Sequence, residues 1–384
     1  MVNRLKVLYI ITGLFTGGAE TMLYKLLSRI DKGLYGNQVV SLSDKGPMAE
    51  KIEGLGVPVQ ALNMPRGTPD PRGVWRLARL IRHYNPDVIQ TWMYHADLIG
   101  GLAARIAGGG PVIWNIRHSN LHPKETKKST IWTAKACALF SRRIPKKIVC
   151  CSEESRRVHA DLGYAEDRML VIPNGFDLEE FGSSRKARNS LRDELGLGQN
   201  DLLIGTIARF NPQKDHFTLI QAARQLKNQG VECFFLLCGQ GLDWEHETLS
   251  SWIKKAGLED RFFLLGPRSD ISKITAALDV VCLSSAYGEG FPNILGEAMA
   301  CEVPCVATDV GDAAEIVGDT GRVVLPRDPQ ALAWAIKDLI DIGPDGRAEM
   351  GKRARQRVEE KYGLDKVVRK YEEMYRFVSE SMSR

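Results

Sequence analysis

The sequence predicts an α/β protein of two doubly wound domains. Three observations carry that prediction. Apolar runs of four to six residues alternate with helix-like stretches of ten or more along almost the whole chain, which is the pattern of a parallel sheet covered by helices on both faces. The alternation breaks once, at the polar, Gly-punctuated LEEFGSSRKARNSLRDELGLGQN of 178–200, and then resumes. The length of 384 residues suits two domains rather than one. No apolar run reaches the roughly 18 residues of a membrane span. The basic, briefly apolar start MVNRLKVLYIITGLFTGGAE ends in a Gly loop and a helix pattern, so it reads as a first strand rather than a signal peptide.

In order, the first domain reads as strand 6–12, helix 19–30, strand 37–42, helix 48–55, strand 57–62, helix 71–84, strand 88–92, helix 96–107 and strand 112–117. A long basic helix, strand 147–151 and helix 153–162, opened by the capping sequence SEES, follow. The second domain reads as strand 202–208, helix 216–229, strand 233–238, helix 243–256, strand 262–265, helix 271–278, strand 279–284, strand 305–308 and strand 322–325. Helices near 329–341 and 344–360 close it, and a terminal helix starts at Asp365. The expected boundaries are 1–177 for the first domain, with the terminal helix 365–384 packing back on it, and 178–364 for the second. Ligand is expected in the cleft at the carboxyl ends of the strands.

Charge and cysteine usage narrow the context. Residues 1–178 carry a net charge of +10 and the remainder −5. Eight basic residues against one acid fall between Lys124 and Lys147, interleaved with Ile131, Trp132, Leu139 and Phe140. That pattern suits an anionic membrane surface or a phosphate-bearing partner, and equally a solvated helix face. No nucleic-acid motif is present. The eight cysteines show no CxxC pair, as expected of buried thiols in a reducing, cytoplasmic setting.

Three loops at strand ends are equipped for anions. In TGLFTGGAE, Gly17 and Gly18 open a helix and allow close backbone approach, although neither GxGxxG nor a Walker lysine is present. In GTIARFNPQKD, Arg209 leaves a strand and Lys214 follows just before a helix, a guanidinium and an ammonium suited to clamping a diphosphate. No DxD pair occurs, so the cations are expected to act without a metal. In AYGEGFPNILGE, a strand runs through a Gly-bearing turn into a helix start. Glu289 and Glu297 bracket this turn, and backbone N–H groups near Phe291, Pro292 and Asn293 are free for an anion. A phosphate site flanked by two hydroxyl-binding carboxylates suits a nucleotide sugar; the other reading is a solvated turn with a surface Glu.

GGAE at 17–20, VIPNGFD at 171–177, GTIARFNPQKD at 205–215 and EGFPNILGE at 289–297 occur in this order, and together they resemble the retaining glycosyltransferases of the GT-B fold, family 4. The resemblance runs from about residue 5 to 362. It implies two Rossmann-like domains facing across a cleft, with Arg209 and Lys214 on the donor diphosphate. Glu297 is implied on the ribose, Glu289 on a sugar hydroxyl, and Gly17 and Gly18 on the phosphate and acceptor side. Asn293 and Ile294 fall at the implied helix start. His95, in TWMYHADL, matches the family's histidine near the donor sugar, with His118 of IRHSN beside the same cleft. The loop Gly266–Ile271, which includes Arg268, matches the place where the family cradles the base through backbone contacts. The implied co-substrate is a nucleotide diphosphate sugar, UDP-linked, with no cofactor or metal, and the implied acceptor a glycan or lipid-linked glycan of a surface polysaccharide. A nucleotide-sugar 2-epimerase and a non-catalytic sugar-nucleotide-binding subunit share this architecture and stay open.

Overall fold

A computed structural model describes residues 4–65, 70–121 and 126–380. The chain divides into two compact units, one running to Gly175 and resuming at Leu364, the other spanning Phe176–Gly363.

The first unit alternates β1 Leu5–Ile11, α1 Gly18–Arg29, β2 Tyr35–Ser41, α2 Pro47–Gly54, β3 Val59–Ala61, α3 Pro71–Tyr84, β4 Val88–Trp92, α4 Tyr94–Ala107 and β5 Val112–Ile116. It continues through α5 Lys128–Phe140, β6 Pro145–Cys150, α6 Glu153–Asp161 and β7 Met169–Val171. The second unit holds α7 Arg185–Leu195, β8 Leu203–Ile207, α8 His216–Asn228, β9 Phe234–Cys238, α9 Glu247–Ala256, β10 Phe262–Leu264, α10 Ile271–Ala277 and β11 Val280–Leu283. It is completed by α11 Asn293–Ala300, β12 Cys305–Thr308, α12 Ala313–Val317, β13 Gly321–Val324, α13 Pro329–Asp341 and α14 Gly343–Lys361, after which α15 Leu364–Glu380 returns to the first unit.

Both sheets are wholly parallel and share one strand order. It is β3-β2-β1-β4-β5-β6-β7 in the first unit and β10-β9-β8-β11-β12-β13 in the second. In each, the order reverses beside the first strand, so the crevice for a ligand lies where β1 meets β4 and where β8 meets β11.

Burial on both faces explains the strand sequences. Every residue of β4 (VIQTW) and β5 (VIWNI) is buried, as expected of central parallel strands. Their polar members are paired: Gln90 with the Tyr375 hydroxyl, Thr91 with Asp97, Asn115 with the Tyr371 hydroxyl. Tyr371 and Tyr375 belong to α15, whose apolar face joins the same core as Tyr9 and Trp92, with Tyr371 stacked on Trp92 at 6.3 Å.

Several elements depart from the sequence reading. The long basic helix is only α5, because its chain turns at Ser141 and enters β6 at Pro145; Lys124 lies outside the described residues. The helix expected from 243 begins at Glu247, where the His246 ring caps it by accepting from Leu249 N at 3.3 Å. The edge strand β7 and the short α12 were not anticipated. Both are too brief to show periodicity. All eight cysteines are free and buried, with thiols pushed upward by burial where a shift is resolved. Among the described residues no helix is long and apolar enough to cross a membrane.

Candidate functional site

In the second unit the site is assembled from the loops after β8 and β11. Past β8, Ala208 N donates to Cys238 O (3.0 Å) and Phe210 N to Gln240 O (2.7 Å), which ties the chain to the neighbouring loop. The approach is so close that a Cβ on Gly239, at φ +144°, would lie 1.8 Å from Ala208 O. Arg209 therefore leaves the sheet exposed. The next turn is fixed locally: the Asn211 side chain accepts from Gln213 N, and Asp215, in the left-handed region at φ +46°, caps α8 through Thr218 N and Thr218 Oγ1.

That turn aims Lys214 at the β11 loop. Its Nζ donates to Glu289 Oε1 at 2.5 Å, and the same oxygen accepts from Ser285 Oγ at 2.6 Å. The pair is largely buried, with side-chain exposures of 19% for Lys214 and 9% for Glu289. Ser284 Oγ donates to Lys214 O and Ala286 N to Gln213 O, both at 2.8 Å, so the two loops are stitched by backbone as well. Gly311 is packed beneath: its φ is +62°, and a Cβ there would meet Glu289 O at 2.1 Å.

Beyond the turn, α11 starts at Asn293 with Pro292 in the capping position and no side-chain cap. By contrast, α8, α9 and α13 are capped by their own side chains. An uncapped first turn presents N–H donors to an anion. Phe291 and Ile294 are buried, Phe291 against the rings of Phe176 (6.0 Å) and Tyr362 (5.4 Å), so their contribution to a ligand is backbone. Glu297 stands half-buried on the second turn of α11. Gly266 adopts φ +61°, and its carbonyl accepts from Gly239 N at 2.8 Å. The Arg268 guanidinium is already engaged, donating to both oxygens of Asp270 (2.9 Å each) and to Glu194 (2.8 Å). That loop is left with backbone groups to offer a base.

The first unit presents a cavity of about 390 Å³ at the carboxyl ends of β1, β4 and β5, with Thr12, Met93, His95, Arg117, His118 and Lys127 among its lining. Beneath it, Thr91 Oγ1 donates to Asp97 Oδ1 at 2.5 Å. Burial pushes the Asp97 carboxyl well above the usual range. Above this network the chain turns sharply. Met93, at φ 73° and ψ 155°, occupies a region costly for a side-chain-bearing residue. This turn sets His95 in the first turn of α4. Burial holds both His95 and His118 below the ordinary imidazole range, so both are neutral at pH 7. Gly17 is the N-cap of α1, and Gly18 opens the helix in the open.

Arg117 is the residue that sequence reasoning passed over. Its Nη2 donates to Asn174 Oδ1 at 2.7 Å and its guanidinium lies 5.0 Å from the centre of the Trp92 ring, while Nη1 is buried without a partner among the described residues. The signal was available: Arg117 follows β5 as Arg209 follows β8. The structure thus brings His95 and His118 to one cavity in the first unit, and Lys214 and Glu289 into contact in the second.

With this geometry in hand, comparison with known proteins is direct. Residues 16–180 match the family profile described as Glycosyltransferase Family 4, and residues 187–357 match Glycosyl transferases group 1. EpsF of Bacillus subtilis (strain 168), named as a glycosyltransferase, is 29% identical over 318 residues, covering 80% of this chain and 80% of that protein. The UDP-Gal:alpha-D-GlcNAc-diphosphoundecaprenol alpha-1,3-galactosyltransferase of Escherichia coli is 26% identical over 244 residues, 63% of this chain and 62% of that protein. The crystal structure of HepE from Anabaena in complex with UDP superposes with a TM-score of 0.84 at 25% identity, covering 96% of this chain and 99% of that one.

Proposed function

The chain belongs to the family 4 glycosyltransferases of the GT-B fold, and we propose that it transfers a hexose or N-acetylhexosamine from a UDP-sugar to a lipid-linked glycan, with retention at the anomeric carbon. The observation that carries this reading is the cluster at the β8–β11 switch point: exposed Arg209, the Lys214–Glu289 pair and the uncapped start of α11. Lys214 spends one N–H on Glu289 and has others for phosphate oxygens. Arg209 supplies a forked cation that has no ion-pair partner among the described residues, and the α11 dipole adds positive potential. Together they oppose the charge that grows on a departing diphosphate, and electrostatic stabilisation of that kind is usually the largest catalytic contribution.

Glu289 serves as an acceptor for a sugar hydroxyl and Glu297 for the ribose diol. In the reaction, the bond from the anomeric carbon to the phosphate oxygen breaks on the face where the acceptor oxygen bonds. The acceptor proton passes to the leaving phosphate. His95 and His118, neutral because they are buried, bind hydroxyls without adding charge. Arg117 is an anion anchor for the acceptor. The cations make a metal dispensable, so turnover should persist in EDTA.

The test is a metal-free thermal-shift and donor-hydrolysis panel of UDP-, GDP- and ADP-sugars on wild type and Arg209→Ala. Stabilisation and slow hydrolysis with a UDP-sugar in wild type alone support the reading. Equal behaviour of the two proteins, or no response to any donor, overturns it.

A further inference from the structure

The outer face of α5 has a regular pattern that the transfer chemistry does not use. Lys128, Trp132, Lys135, Leu139 and Arg142 follow one another at spacings of four, three, four and three, so they form a single stripe along the helix and its exit turn. The opposite face packs Ala134 and Cys137 into the core. The stripe is open to solvent, with Trp132 71% and Leu139 79% exposed. From residue 126 to 147 there are seven lysines and arginines and no acid. The Lys135 ammonium lies 5.7 Å from the Trp132 ring centre, and Lys147 lies 5.6 Å from that of Phe377, itself 61% exposed.

At its carboxyl end the stripe runs into two adjoining cavities. One, of about 410 Å³, lies at the amino ends of β5 and β6, between the Gly108–Gly110 loop and the side chains of Arg105, Arg143, Lys146 and Arg168. The other, of about 560 Å³, shares Arg105, Arg143 and Ile144 and adds Leu102, Phe140 and Arg142. Among the described residues no carboxylate lines either cavity. Two of the guanidiniums are held in place by backbone carbonyls, Arg168 on Pro145 O at 2.6 Å and Arg105 on Arg143 O. Nearby, Arg142 meets Asp167 at 3.6 Å in an exposed pair that leaves the cluster strongly basic.

We propose that this face of the first unit docks on an anionic lipid bilayer, with Trp132 and Leu139 entering the interfacial zone and the Arg105–Arg143–Lys146–Arg168 cavity seating a lipid headgroup phosphate. An acidic protein would answer the cations alone. An anionic bilayer answers both parts of the stripe: headgroup phosphates meet the lysine and arginine ends while the Trp and Leu side chains sink below them. The orientation also has a consequence. The helix is about 20 Å long, and its start, with Thr126, Lys127 and Thr130, borders the cavity that holds His95 and His118. A bilayer lying along α5 brings a headgroup-linked acceptor to that cavity's rim; this last step rests on the lipid-linked acceptor proposed above.

The test is flotation of the full chain with vesicles of phosphatidylcholine alone or with roughly one-third phosphatidylglycerol, at low and high salt. Wild type should float with the anionic vesicles, release in high salt, and stay behind with the neutral ones. Lys128→Glu/Lys135→Glu/Arg143→Glu should lower partitioning by more than about tenfold, and Trp132→Ser/Leu139→Ser by about tenfold at unchanged salt dependence. All five side chains are outside the core, and circular dichroism confirms the fold. Equal flotation on neutral vesicles, charge-reversed protein that floats like wild type, or wild type that does not float overturns the proposal. A chain that floats yet binds no UDP-sugar overturns the transferase reading and leaves the docking face standing; one that binds UDP-sugar yet does not float does the reverse.

Discussion

The two units repeat one sheet order and each sets a basic residue beyond the carboxyl end of a strand, β5 in the first and β8 in the second, yet they leave those cations in different electrostatic states. After β5, Arg117 is pinned by Asn174 and the Trp92 ring and, among the described residues, meets no carboxylate and keeps a buried donor unspent. Past β8, Lys214 is closed onto Glu289, with Ser285 completing the carboxylate. A closed ion pair is positioned before ligand arrives and costs little to maintain, but each partner depends on the other. A cation without a partner is ready for an anion and can be lost without stranding a charge. The same topology therefore supports a site built on a preformed pair in one unit and a site built on an open valence in the other.

Breaking each cation separately should expose that difference, and this is the largest effect expected. Lys214→Ala should lower kcat/KM for the UDP-sugar by about 10²- to 10³-fold and destabilise the second unit by about 3 kcal/mol, because Glu289 is left charged in a dry site. Arg117→Met keeps the apolar stem on Trp92 and strands no carboxylate. Its stability loss should stay near about 1 kcal/mol while KM for the acceptor rises about tenfold. Steady-state kinetics beside thermal melts measure both. If Lys214→Ala and Glu289→Gln are both as stable as wild type, the pair is not the element holding these loops.

Next in size is Gly239→Ala. Its φ of +144° and the 1.8 Å approach to Ala208 O force the backbone that carries Arg209 to move, so a loss of about 3 kcal/mol is expected, together with weakened UDP binding. In the first unit the counterpart is milder. A Cβ on Gly100 would meet side-chain atoms, Thr91 Cγ2 at 2.8 Å and Ile10 Cδ1 at 3.2 Å, and Gly100→Ala should cost about 1–2 kcal/mol. Denaturant unfolding of both variants checks the ranking.

Both units bury a neutral histidine, and acid should test them alike. His159 donates from Nδ1 to Ser155 O and accepts at Nε2 from the Tyr94 hydroxyl, each at 2.6 Å. His216 donates from Nε2 to Arg209 O at 3.3 Å, while its Nδ1 has no partner among the described residues. Burial pushes both down to about 4. Since the unfolded imidazole titrates near 6.5, the unfolded chain binds more protons below that pH. The stability each neutral ring contributes is therefore complete above about pH 6.5 and is lost as pH falls towards 4. At pH 5 the loss should be about 2 kcal/mol per ring. Melts from pH 7.5 to 4.5 should show it, and His159→Gln should flatten the slope of the first unit only.

Much of this was legible in the sequence because it is local. The alternation of apolar runs with helix patterns located both sheets, and the exits of Arg209, Lys214 and Glu289 from strand ends follow from one stretch of chain each. What was not legible is tertiary. Lys214 and Glu289 are 75 residues apart, and nothing near either one announces the other. Asp97 reads as an ordinary first-turn acid until Thr91 and Asn115 close around it. Arg117 was eclipsed by His118 beside it, since its distinguishing feature, an unspent buried donor, exists only once Asn174 and Trp92 are in place.

Arg268 gives the smallest effect and the finest discrimination. The resemblance placed it in a loop that cradles the base through backbone contacts, and its guanidinium is shared between Asp270 and Glu194, the latter 74 residues away. Those side chains stand 30% to 46% exposed, so solvent screens the pairs and they are worth at most about 1 kcal/mol. If the loop holds a base by its backbone, Arg268→Ala should change UDP affinity by less than about threefold, whereas Gly266→Val, which disfavours φ +61°, should weaken it several times more. Calorimetric titration of both variants separates the two modes. A loss on Arg268→Ala as large as on Arg209→Ala would mean that the guanidinium leaves its carboxylates to grip the ligand, adding a second cation to the exposed Arg209.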